Sequence, residues 1–181
     1  MYFETTAIHS GYQPDTDTNS VIPPIYLTST YKQEEIGVTK GFDYSRTGNP
    51  TRNVLEQLLA AIENGKFGTA FASGLAAETA VFNLLKTGDE VLVGDDIYGG
   101  TYRLLEKVFS QWGLKATYFP MEYPDSVENF IKPNTKMIWV ETPTNPLLKV
   151  IDIQKLSQIC KKHHIILAVD NTFATDRKSV V

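Results

Sequence analysis

From Thr51 onward, short apolar runs alternate with stretches of helical periodicity, and that alternation leaves few folds open. The runs are GTAFA (68–72), EVLVG (90–94), KATYF (115–119), KMIWVE (136–141) and IILAVD (165–170). Each has the length of a strand and is bounded by turn residues. Between them, Val54, Leu55, Leu58, Leu59 and Ile62 recur on one helical face of residues 51–65. Thr51 is the expected N-cap of that helix and Asn64-Gly65 its expected stop. Further helices are expected over 74–86, 100–113, 126–131 and 152–164, the last capped by Asp152 and carrying basic residues in its final turn. Strands joined through helices imply an α/β fold, a mostly parallel sheet with helices on both faces.

Residues 1–50 read differently. Pro, Asn, Asp, Thr and Gly dominate stretches such as QPDTDTNS, VIPPIY and RTGNP, and periodicity is weak. A structureless stretch of this length in a compact domain packs on a partner or serves a site. Tyr12, Val21, Ile22, Ile25, Tyr26, Leu27 and Tyr31 give it too much apolar surface for a disordered tail. An extended N-terminal arm over 1–50 that docks on another subunit is expected, followed by a domain over 51–181.

Net charge is -4 and the Lys and Arg residues are scattered, so nucleic acid is not an expected partner. No apolar run approaches a membrane span, and no metal site is expected. MYFETTAIHSGY lacks the basic segment and apolar core of a signal peptide, and Cys160 is the single cysteine. A cytoplasmic location is therefore expected, with Cys160 a buried small hydrophobe in a helix.

In an open parallel sheet, ligands bind at the carboxyl ends of the strands. Ser73-Gly74 follows the first run, Asp95-Asp96 and then Tyr98-Gly99-Gly100 the second, Glu141 and TPTNP the fourth, and Asp170-Asn171-Thr172 the last. Four polar or glycine-rich ends should meet on one rim. SGLAAE places a small turn at a helix N-terminus, where free N–H groups suit a phosphate. It is neither a Walker loop nor a G-x-G-x-x-G fingerprint, which disfavours a nucleotide. Tyr98 can supply an aromatic face and Asp170 a partner for a protonated ring nitrogen. Phosphate, stacked ring and paired pyridinium together describe pyridoxal 5'-phosphate.

FDYSRTGNPTRNVLE, FASGLAA, DDIYGGTYRL, VETPTNPLLKVIDI and AVDNTFAT, in that order, resemble the Cys/Met-metabolism family of pyridoxal-phosphate enzymes, and TAIHSGYQPDTDT…VIPPIYLTSTY resembles that family's N-terminal arm. The resemblance implies an aspartate-aminotransferase-like cofactor domain and homo-oligomers, dimers or tetramers, acting on an amino-acid substrate. By position, Ser73, Gly74 and Leu75 resemble the phosphate loop. Tyr98 resembles the tyrosine stacked on the cofactor ring. Asp170 resembles the aspartate that holds the pyridinium proton. Asn145 resembles the asparagine near the cofactor's phenolic oxygen and the substrate carboxylate, with Thr172 close by. Tyr44 and Arg46 resemble the pair that reaches into a neighbouring subunit's site, where the arginine clamps the phosphate. Arg103, in YGGTYR, matches an arginine that cystathionine-handling members place near the distal substrate carboxylate. Gly100 stands where methionine γ-lyases carry Cys. The implied activity is γ-elimination of cystathionine, with cystathionine γ-synthase or O-acetylhomoserine sulfhydrylase chemistry, both γ-replacements, as the alternative.

The family attaches its cofactor through a lysine in an S-x-T-K motif well beyond the Asp170 position. No such motif occurs in this sequence, and DRKSVV follows DNTFAT where the family continues with Pro and an aromatic residue. Lys178 does not match that position. The chain is therefore expected to be a truncated or frameshifted form of a longer enzyme, without covalent cofactor attachment or normal turnover. Its other expected role is that of a non-catalytic partner of the full-length subunit.

Overall fold

A computed structural model describes residues 2–174; DRKSVV and Lys178 lie outside them. The chain forms two compact units, one up to Phe71 and one from Ala72 onward.

The first unit holds the arm segment together with α1 (Phe3–His9) and α2 (Pro50–Ile62). α1 was not legible as a helix, because its seven residues carry no side-chain cap and no periodic apolar face. Just beyond it the chain runs against α2 at Gly11, whose φ is +89° and where an added Cβ would meet Leu58 N at 2.7 Å and Val54 O at 2.8 Å. α2 is capped by Asn49 rather than Thr51: the Asn49 side chain accepts from Thr51 N at 2.9 Å and Arg52 N at 3.4 Å, with Pro50 at the first helical position. The displaced Thr51 hydroxyl accepts from Tyr26 N at 2.9 Å, so the helix start also pins the arm. Asn49 Nδ2 donates to Tyr26 O at 3.2 Å and Ser45 Oγ at 3.1 Å. Isolated antiparallel bridges join Thr30 to Tyr44 and Glu35 to Val38.

The expected strand over 68–72 does not form. A strand needs a neighbour for its N–H and C=O groups. Here Ala70 N donates instead to Glu56 Oε1 of α2 at 3.0 Å.

The second unit is built on β1 (Glu90–Gly94), β2 (Lys115–Phe119), β3 (Thr135–Glu141) and β4 (Ile166–Asp170), all parallel in the order β2-β1-β3-β4. The period of two along each strand divides the core. Leu92, Ile138 and Val140 face Val127, Leu156, Ile159 and Cys160 on one side. Val91, Val93, Met137 and Trp139 face Phe82, Leu105 and Phe109 on the other. α5 (Ile153–His163) and a 3-10 segment over 124–130 thus cover the first face. α3 (Gly74–Phe82) and the helical stretch beginning with α4 (Gly99–Arg103) cover the second. That stretch passes through a π turn at 104–108 and a 3-10 turn at 109–112 before Gly113 ends it at φ +81°. The helix expected at 152–164 is present, capped by Asp152 accepting from Lys155 N at 2.9 Å, and the one expected at 74–86 forms but ends at Phe82.

Candidate functional site

Along β3, Met137 and Trp139 face α3, and the same period carries Glu141 onto that face at the strand's end. The register pairs Glu141 with Asp170, so two carboxylates end neighbouring parallel strands side by side. Here the sheet opens onto a cavity of about 330 Å³ lined by residues from α3, the β1–α4 turn, the β3–α5 loop and the end of β4. Ser73, Gly74, Leu75, Tyr98, Asn145, Asp170 and Thr172, named from the sequence, all line it.

Each is placed by local chemistry. Ser73 caps α3, its Oγ accepting from Ala76 N at 3.2 Å and its carbonyl from Ala77 N at 3.2 Å. The N–H groups of Gly74 and Leu75 have no acceptor within the helix. The approach to Gly74 is open, with nothing within 4 Å of an added Cβ. Tyr98 N donates to Glu141 Oε2, fixing the turn that presents the tyrosine. The ring lies against Gly100, where an added Cβ would meet Tyr98 Cε1 at 2.2 Å. Asn145 sits in a loop organised from beneath by buried Asp96. Asp96 Oδ2 accepts from the Thr144 hydroxyl and from Leu147 N at 3.3 Å, while Thr144 Oγ1 accepts from Lys149 N at 2.8 Å. Asp170 Oδ1 accepts from Thr172 N at 3.0 Å and from the Thr172 hydroxyl at 2.6 Å, which orients the carboxylate.

Arg103 does not line the cavity; it is the exposed last residue of α4, its side chain folded back toward Gly99. Tyr44 and Arg46 belong to the first unit, where Arg46 Nη2 donates to Tyr44 OH at 2.7 Å and the guanidinium lies 5.1 Å from the ring centroid.

Sequence reasoning missed Glu78 and Phe173 as lining residues, and it read Glu141 only as a strand end. Glu78 follows Gly74 by four residues on α3, a spacing that puts both on one face. That spacing could have been read from the sequence, but the buried neighbourhood could not. Burial pushes the Glu78 carboxyl up to about 7; the nearby Thr101 hydroxyl works the other way, and the charges of Asp170 and Glu141 add to the rise. Glu78 Oε2 and Thr101 Oγ1 nonetheless form no hydrogen bond of ordinary geometry. Glu141 is also raised, by burial first, against the bond from Tyr98 N and with the charges of Asp170 and Asp96.

The donor set fits a ligand with an anionic phosphate at one end, a flat ring, and a cationic nitrogen at the other. An uncommitted helix start, an aromatic side chain, an amide and an oriented carboxylate meet in one cavity of a size usual for small-molecule sites.

That combination on a parallel α/β sheet suits a cofactor site, and comparison with known proteins gives the family. The profile of the Cys/Met metabolism PLP-dependent enzymes matches residues 4–178, and the chain belongs to that family, whose members bind pyridoxal 5'-phosphate. It is 50% identical over 173 residues to a probable cystathionine gamma-synthase of Herpetosiphon aurantiacus, covering 96% of this chain and 54% of that protein. It is 49% identical over 175 residues to a cystathionine gamma-lyase of Bacillus subtilis (strain 168), covering 97% and 46%. The crystal structure of cystathionine gamma-lyase from Lactobacillus plantarum complexed with L-serine superposes with a TM-score of 0.92 at 45% identity, over 97% of this chain and 46% of that one. The chain spans about half the length of the curated relatives it matches. Among the described residues no helix is long and apolar enough to cross a membrane.

Proposed function

We propose that this chain carries the cofactor-binding part of a pyridoxal-phosphate enzyme that acts on cystathionine by γ-elimination. The observation that carries the reading is the convergence of the α3 N-terminus, Tyr98, Asn145 and Asp170 on one cavity. Gly74 N–H and Leu75 N–H would receive the phosphate oxygens, with Ser73 holding the helix start in place. Tyr98 would stack on the ring. Asp170, oriented by Thr172, would keep a proton on the ring nitrogen. Asn145 would bond the phenolic oxygen and the substrate carboxylate. When bound, the cofactor supplies an electron sink for negative charge formed beside the substrate's amino group.

Arg103 would meet the distal carboxylate of cystathionine. Tyr44 and Arg46 would clamp the phosphate of a neighbouring subunit in a homo-oligomeric, cytoplasmic enzyme; their mutual bond and exposure support a pair offered outward. Likeness to a gamma-synthase at 50% identity supports γ-replacement as the second reading. No lysine is among the described residues lining the cavity. This chain is therefore expected to hold the cofactor reversibly, without covalent capture and with turnover no faster than free pyridoxal phosphate gives.

Equilibrium dialysis of the chain against pyridoxal phosphate tests the reading. One saturable site is expected, weakened at least about tenfold in Asp170→Ala, the loss of one charge-assisted bond. Absence of saturable binding refutes it. Cystathionine should then perturb the bound cofactor's absorbance saturably. A response to O-acyl-homoserine but none to cystathionine would overturn elimination in favour of replacement.

A further inference from the structure

The cavity poses a charge problem. Its described lining holds three carboxyl groups, Glu78 on α3, Glu141 on β3 and Asp170 on β4, and no cationic side chain. Three carboxylates lining one cavity would oppose the attraction that the α3 N-terminus exerts on a phosphate. Two of them have assigned work: Glu141 holds the Tyr98 turn, and Asp170 is oriented by Thr172. Glu78 has none. It is 7% exposed, lies one helical turn from the open Gly74, and its Oε2 is buried without a partner.

Glu90, at the opposite end of the sheet, shows what a buried glutamate needs in order to stay charged. It is 2% exposed, and it accepts from Thr117 Oγ1, Thr135 Oγ1 and Lys132 Nζ, each at 2.7 Å. Burial alone would raise Glu90, but those donors leave it lowered. Glu78 has no such set of donors. The groups facing it are the carboxylates of Glu141 and Asp170 from the sheet and the Thr101 hydroxyl from α4, with Tyr98 on the cavity wall.

We propose that Glu78 is a binding-determining residue of this cavity, which takes its phosphate-bearing ligand while Glu78 is a neutral carboxylic acid and loses it when Glu78 ionises. The step is a proton exchanged between the Glu78 carboxyl and solvent, with no other bond changed. As an acid, Glu78 leaves the helix start as the dominant field at the phosphate. As an anion one turn away, it opposes that field. The inference rests on the reading of the cavity as a pyridoxal-phosphate site.

The test measures pyridoxal phosphate dissociation constants for the wild-type chain and for Glu78→Gln across about pH 6 to 8.5, where the ratio of the two cancels the ligand's own titration. The ratio is expected near one at the acid end and about tenfold against the wild type a unit above the Glu78 midpoint. A ratio independent of pH overturns the inference and leaves the cofactor reading standing. No binding by either chain at any pH overturns both. Carboxyl-carbon NMR of the folded wild type, free of ligand, keeps the question decidable should the variant misfold. A Glu78 midpoint well above those of the exposed glutamates supports the proposal, and an ordinary midpoint overturns it.

Discussion

Replacing Glu78 by glutamine should make the chain more stable at neutral and alkaline pH, and not below the ordinary carboxyl range. The folded chain holds the Glu78 proton to about pH 7, against an ordinary value of 4.5. Below the lower value both folded and unfolded chains are protonated, so the group contributes no penalty. Between the two values the unfolded chain gives up the proton while the folded chain keeps it, so stability falls as pH rises, by up to about 1.4 kcal/mol per unit. Above the upper value the penalty is constant at about 3 kcal/mol. Glutamine keeps the shape and removes the proton, and it also relieves repulsion on Glu141 and Asp170, which acts with the same sign. The stability difference between variant and wild type should therefore grow by about 3 kcal/mol from about pH 4 to pH 8. With a urea dependence of about 2 kcal/mol per molar, the variant's midpoint should gain roughly 1.5 M on the wild type over that range. Far-UV circular dichroism in urea at both pH values measures it. A difference that stays within about 0.5 kcal/mol across the range, the usual size of a surface substitution, would refute the account of Glu78 as a buried carboxyl with too few donors to hold its charge.

Asn49→Ala removes the α2 cap and the bonds to Tyr26 and Ser45, and should cost about 2 kcal/mol in urea unfolding, with amide exchange of the first α2 turn rising most. Asn49→Asp should recover the cap and part of that loss. Gly100→Ala places a methyl group where the Tyr98 ring lies, and alanine suits a helix by about 1 kcal/mol over glycine. The half-exposed ring can swing away, so stability should hold while pyridoxal phosphate binding weakens about tenfold, the worth of one stacking contact. Unchanged affinity would show that the ring does not stack. Burial pushes the Cys160 thiol up to about 11. It should react with a thiol reagent at least about a hundredfold more slowly in the folded chain than in urea, read by absorbance.

Much of the fold and part of the site were legible in the linear pattern, for identifiable reasons. Runs such as EVLVG and IILAVD have the length, the branched apolar content and the turn boundaries of strands, and capped amphipathic segments such as 152–164 declare their own ends. The polar residues that close those strands could be read as one rim because parallel strands all end on the same side. Local pattern misplaced the α2 cap because Thr51 and Asn49 are both good caps, and contacts to Tyr26 and Ser45 decided between them. It expected a strand at 68–72, where composition is right but a pairing neighbour is needed; Glu56 took the Ala70 N–H instead.

What the sequence by itself determined is the period of each element and the order of the chemistry-bearing residues, because both depend on neighbours in the chain. What only the tertiary structure decided is the company those residues keep. The register brings Glu141 beside Asp170, and α3 lays Glu78 over both. Burial acts on a group through everything packed around it, and most of those atoms come from distant parts of the chain. That is why the same residue type is held below its ordinary pKa at Glu90 and pushed above it at Glu78.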